Sequence, residues 1–136
     1  MIDYKKYGIG EREIEFRACE KINKEILFDL DVFAFAGAFG QKARDRFIFM
    51  QYTGRRDLNY KKIWEGDILK SGNCYYVVCN GIVEIEDNEM YSSNTVCGFY
   101  LRNIIDEYGK PRCIHMDDLE EMEIVGNIFE NPELIK

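Results

Sequence analysis

Apolar and polar residues alternate from Glu13 to Ala18, with Ile14, Phe16 and Ala18 set between Glu13, Glu15 and Arg17. A period of two marks a half-buried strand. Glu20 to Lys24 is polar and contains Asn23, and the apolar run resumes at Ile26 to Leu30, so the first two strands form a hairpin. Val32 to Phe39 fits a strand with a glycine bulge or an irregular loop. Phe47 to Thr53 is a strong strand pattern, with Phe47, Phe49 and Gln51 on one face and Ile48, Met50 and Tyr52 on the other. Gly54 to Tyr60 reads as a turn region, with Asn59 the residue best suited to a positive φ. Gly66, within Glu65-Gly66-Asp67, redirects the chain before the next strand at Ile68.

Cys74 to Cys79 and Ile82 to Glu86 flank Asn80-Gly81, the pair that suits a two-residue type I′ turn. Residues 87–95 read as a polar loop, Cys97 to Ile105 as a strand or short helix, and Tyr108 to Pro111 as a turn. Met116, Leu119 and Met122 have helical spacing over one or two turns, and Glu123 to Phe129 is a last strand. Asn131 is placed to cap a terminal helical turn that Pro132 opens. Short strands joined by closely spaced turns predict a mainly β fold with minor α. Its short antiparallel strands form an SH3-like barrel packed with an N-terminal β subdomain.

Length and composition agree with one domain. The chain has 136 residues, 46% of them hydrophobic and 14% aromatic, which is enough for a core and favours strands. The expected divisions are a polar N-terminal arm (1–12), an N-terminal β part (13–62), the SH3-like part (63–130) and a terminal helical turn (131–136). No run approaches the ~20 apolar residues that cross a bilayer, and the first residues do not resemble a signal peptide. The expected location is the cytoplasm of a bacterial host, with no membrane partner. Five cysteines, an odd number, fit free thiols in a reducing compartment.

Three blocks resemble the YopX-like family of phage and prophage proteins. They are Ile14 to Cys19, then Met50 to Gly54 with Asp57, Asn59 and Lys62 to Ile68, then Ile124 to Leu134. The family usually has Trp where Cys19 stands, and often Gly where Tyr60 stands. The resemblance implies a β-rich fold with an SH3-like part and a mobile-element origin. It brings no established activity and no catalytic residues.

Candidate chemistry is sparse. Cys74 and Cys79, an odd number apart, fall on opposite faces of one strand. Cys113 and His115 share a face, but two ligands do not make a zinc site, and strand neighbours ~7 Å apart are too distant for one to activate the other. Acid–base work needs one carboxyl pushed to a high pKa by burial, whereas the carboxylate pairs Glu84/Glu86, Asp117/Asp118 and Glu120/Glu121 lie among many charges and are expected to be solvated. Gly37-x-x-Gly40 matches the spacing of a phosphate-clamping loop, but no helix clearly follows, and a bulge or tight turn accounts for it. The expectation is therefore no catalytic, cofactor or metal site.

Charge carries the strongest functional signal. Residues 1–62 hold 13 Lys/Arg against 10 Asp/Glu, and residues 63–136 hold 5 against 15. Lys42, Arg44 and Arg46 precede Phe47 and Phe49, and Tyr52 precedes Arg55 and Arg56, a mixture that suits single-stranded nucleic acid. An acidic second half opposes phosphate binding and equally suits pairing with the basic stretch, within or between subunits. These residues are the candidate interaction surface. The expected function is a non-catalytic accessory module that binds protein partners or its own copies, with single-strand binding as the alternative.

Overall fold

The computed structural model describes residues 1–8, 10, 13–28, 45–86, 93–104, 113–114 and 118–135. In chain order the elements are η1 (Tyr4–Tyr7), β1 (Phe16–Glu20), β2 (Ile26–Leu27), β3 (Phe47–Arg56), β4 (Lys62–Trp64), β5 (Asp67–Ser71), β6 (Cys74–Glu86), β7 (Ser93–Asn103), β8 (Cys113–Ile114), η2 (Leu119–Glu121), β9 (Glu123–Asn127) and η3 (Pro132–Ile135). The η elements are short 3-10 turns. The fold is mainly β, as the strand patterns predict, with two antiparallel sheets, one of them a curled half-barrel. The chain forms two compact units, Met1–Gly54 and Arg55–Lys136.

In the first unit β1 lies between β2 and β3. Ala18 sits opposite both Leu27 and Phe49, and Cys19 opposite both Ile26 and Ile48. The predicted first hairpin is present, but β1 is not half-buried. Arg17 to Glu20 are all buried, while Ile14 is exposed. A central strand has neighbours on both edges and can be covered on both faces, so alternation in its sequence overstates its exposure. Buried Glu20, at the end of β1, finds its partners in the turn that follows. The Glu20 carboxylate accepts the backbone N–H of Asn23 at 2.7 Å and of Ile22 at 3.2 Å, closing the turn to β2. Lys24 ends that turn at φ +59°.

Strand β3 runs through the boundary at Gly54. In the second unit its last residues open a hairpin to β4 whose turn is built on Asp57. This buried carboxylate accepts the N–H groups of Asn59 (2.9 Å) and Lys61 (2.8 Å) through one oxygen, and of Ile124 (3.0 Å) through the other. The Leu58 N–H donates to the Met122 carbonyl at 2.9 Å, which ties the hairpin to the start of β9. The left-handed residue is Tyr60, at φ +64°, not Asn59. The Asx turn of Asp57 fixes the positions before it, so the left-handed step falls one residue later than expected. That is the position where the related family often carries Gly.

The second unit is a five-stranded sheet of order β8-β7-β6-β5-β9. Its core contains Ile63, Leu69, Val78, Leu101, Leu119 and Met122, with Tyr76, Phe99 and Ile124 packed against it. Gly66, at φ +87°, makes the predicted redirection between β4 and β5. Its N–H donates to the Val78 carbonyl, and its carbonyl accepts from Ile128. Buried Asp67 holds the turn by accepting the Trp64 N–H at 2.8 Å.

The Asn80-Gly81 turn does not form. β6 runs unbroken from Cys74 to Glu86 and pairs with β7 in constant register from Tyr76↔Asn103 to Glu86↔Ser93. Gly81 faces Gly98 in the middle of this ribbon. A glycine pair mid-strand leaves two side chains out of the ribbon, and the pairing runs through it unbroken. Residues 93–95, read as loop, are the start of β7, and the segment from Cys97 is strand, not helix.

At the C-terminus the predicted strand and turn are present, but Asn131 does not cap with its side chain. Its carbonyl accepts the Leu134 N–H at 3.1 Å, while its Oδ1 reaches back to the Asn127 N–H at 3.2 Å. Gly126 makes room for this. A Cβ there would stand 2.6 Å from Asn131 Cγ. Leu119 and Met122 are buried as their spacing suggests, around a single 3-10 turn. The segments 32–44, 87–92 and 108–111, with Met116, lie outside the described residues.

Candidate functional site

The candidate cations take separate partners among the described residues. Lys42 and Arg44 lie outside them. Arg46 belongs to the first unit and sits over the Phe47 ring, 5.2 Å from its centroid. It also contributes to holding the Glu20 carboxyl below its ordinary value. The main causes there are the Asn23 N–H bond and, more weakly, that of Ile22, opposed by burial. Arg55 and Arg56 belong to the second unit and point to different partners. Arg55 Nη2 meets Glu120 Oε1 at 2.6 Å, and this bond lowers the Glu120 pKa. Arg56 stacks 4.4 Å from the Tyr60 ring centroid and donates to the Tyr60 carbonyl at 3.1 Å.

The Arg55–Glu120 contact joins the basic stretch to the acidic second half, the intramolecular form of the pairing the charge asymmetry suggests. It is an exposed pair, of the kind worth little to stability. The rings interleaved with the cations do not make a stacking platform. Tyr52 is buried, Phe47 and Phe49 are half-buried and lie against each other with centroids 6.3 Å apart, and Tyr60 alone is well exposed.

The side chains with candidate chemistry are dispersed. Cys74 is exposed and Cys79 half-buried on the same strand, and the two occupy opposite faces. Burial, and next the interaction with Cys74 on the same face of the strand, raises the Tyr76 pKa. The Cys113 backbone lies in β8, while its side chain and His115 are outside the described residues, as is Gly37-x-x-Gly40. Glu84, Glu120 and Glu121 are exposed. Among the described residues no three His, Cys, Asp or Glu come together in a metal-ligating group, and no helix is long and apolar enough to cross a membrane.

The surface that sequence reasoning missed is on the ribbon. Side chains at 76, 78, 80, 82 and 84 of β6 share one face with those at 95, 97, 99 and 101 of β7. At its inner end this face is core: Val78 is 1% exposed and Leu101 is 0%. Two residues further out Asn80 is exposed, and then Ile82 is 77% exposed opposite exposed Cys97, with Glu84 and Thr95 beyond. β5 pairs with β6 only from Cys74 to Val77. Among the described residues, the outer half of the ribbon therefore pairs only with itself. The apolar face outruns the core that covers it. The signal was present in Ile82, but reading Asn80-Gly81 as a reversal placed it on a separate strand.

No curated protein matches the chain. Among solved structures, the crystal structure of protein EF1440 from Enterococcus faecalis is similar, at 18% identity and a TM-score of 0.45, covering 93% of this chain and 100% of that one. The family model described as YopX protein matches residues 11–136, nearly the whole chain. The chain belongs to the YopX family.

Proposed function

We propose that this protein is a non-catalytic interaction module, an accessory protein of a phage or prophage acting in the cytoplasm of its bacterial host. The observation that carries this reading is the β6–β7 ribbon, whose core-side face continues bare past Val78 and Leu101 to Ile82 and Cys97. A two-stranded ribbon is marginal alone in water, and one whose apolar face is bare gains by docking. The buried polar side chains support the same view. Glu20, Asp57, Asp67 and Asn127 each spend their oxygens on backbone N–H groups, which is the work of shaping turns. The SH3-like part of the reading rests on the sheet that curls into a half-barrel.

Affinity capture from lysogenic cells tests the reading, with wild-type and Ile82→Asp proteins as bait. Ile82 is exposed, so the variant folds. The reading expects a retained protein, another copy of the chain included, whose recovery falls with Ile82→Asp. Recovery indifferent to that change contradicts it. Salt-sensitive retention of a short single strand, abolished by Arg55→Ala with Arg56→Ala, would establish the nucleic-acid alternative instead.

A further inference from the structure

The bare ribbon face also has a chemistry that selects its occupant. Exposed Glu84 follows Ile82 on this face, and residues 79–86 and 93–100 contain no Lys or Arg. An apolar centre with a carboxylate at its edge and no cation beside it calls for an apolar partner with a basic rim. The same unit presents such a surface. The hairpin 55–62 contains Arg55, Arg56, Lys61 and Lys62 against Asp57 alone. At its tip stand two exposed apolar side chains, Leu58 at 52% and Tyr60 at 76%. Arg56 lies on the Tyr60 ring, so the cation and the apolar surface are presented together. The tip is rigid for a loop of this length, because Asp57 holds the N–H groups of Asn59, Lys61 and Ile124. A preorganised surface loses little entropy on binding.

We propose that the outer ribbon face of one copy, centred on Ile82 and Cys97, binds the 55–62 hairpin of a second copy. The proposal rests on the interaction-module reading above and names its partner. Leu58 and Tyr60 cover Ile82 and Cys97, and Arg56 and Lys61 meet Glu84. Each copy carries both surfaces, so a reciprocal exchange across a two-fold axis satisfies all four in a closed dimer.

Sedimentation over a concentration series, with charge-swapped variants, tests this. The wild-type mass should rise from 16.0 kDa toward twice that value and fall back in ~1 M salt, where charges are screened beyond ~3 Å. Glu84→Lys and Lys61→Glu should each weaken association by about tenfold or more. Joining the two changes in one chain should restore it, an outcome that general damage to the fold does not produce. Ile82→Asp should abolish association while leaving the circular dichroism spectrum unchanged. The proposal is overturned by a mass fixed at 16.0 kDa, or by a dimer insensitive to both charge reversals. A fixed monomer that still captures another protein through Ile82 overturns the self-association alone. Capture indifferent to Ile82 removes the interaction-module reading itself.

Discussion

At the scale of single residues, the motif-like positions of this chain are backbone devices. Asp57 satisfies three N–H groups from two parts of the second unit. Asp57→Ala leaves those donors without their charged acceptor and should cost roughly 3 kcal/mol, read as a lower urea midpoint at unchanged m. Gly126 lies against Asn131, so Gly126→Ala forces that side chain off the Asn127 N–H. A loss of about 1–3 kcal/mol is expected by thermal denaturation, the usual scale for overpacking. Glu20 supplies a pH-dependent component. Its folded pKa lies below the ordinary 4.5, chiefly through the Asn23 N–H bond. The stabilisation is therefore present above pH 4.5 and is lost as pH falls through the folded value. Wild type should be more stable than Glu20→Gln at neutral pH, and the gap between their melting temperatures should close in acid.

Legibility in the sequence differed by element. β3 and β9, with the turn at Gly66, were readable because their signals are local: alternation for the strands, a lone glycine for the turn. The burial of β1 was not, since it goes with a central place between β2 and β3 that alternation cannot report. Asn80-Gly81 failed for a related reason. Two residues favoured a reversal, but continuous pairing along the ribbon outweighed them, and the partner that decides, Gly98, lies on another strand. Gly98 has φ +131°, a region that side chains disfavour, although open space surrounds the position where a Cβ would stand. Gly98→Ala should therefore cost about 1–3 kcal/mol through backbone strain alone, a loss visible in chemical denaturation. If crowding governed the site instead, the same change would be neutral.

At the scale of the whole molecule, the uneven charge was legible and the surface it serves was not. The basic surplus of residues 1–62 resides in the 55–62 hairpin: Arg55, Arg56, Lys61 and Lys62 against Asp57 match the full excess of 13 over 10. Arg46, a candidate from the same basic stretch, belongs to the first unit and has its own partner in Phe47. What no linear pattern shows is that one face of the β6–β7 ribbon is core at one end and bare at the other. That contrast depends on where β5 stops pairing, four residues along β6. Binding at this face should bury Ile82 and quiet the ribbon's outer amides, while β5 and β9 are unaffected.

Amide hydrogen exchange on the wild-type protein, from dilute to concentrated solution, tests this most directly. The account predicts that residues 80–84 and 95–99 gain protection as concentration rises, together with the 55–62 hairpin, while β5 and β9 keep the same rates throughout. Ribbon amides that exchange at one rate over the whole series would contradict it.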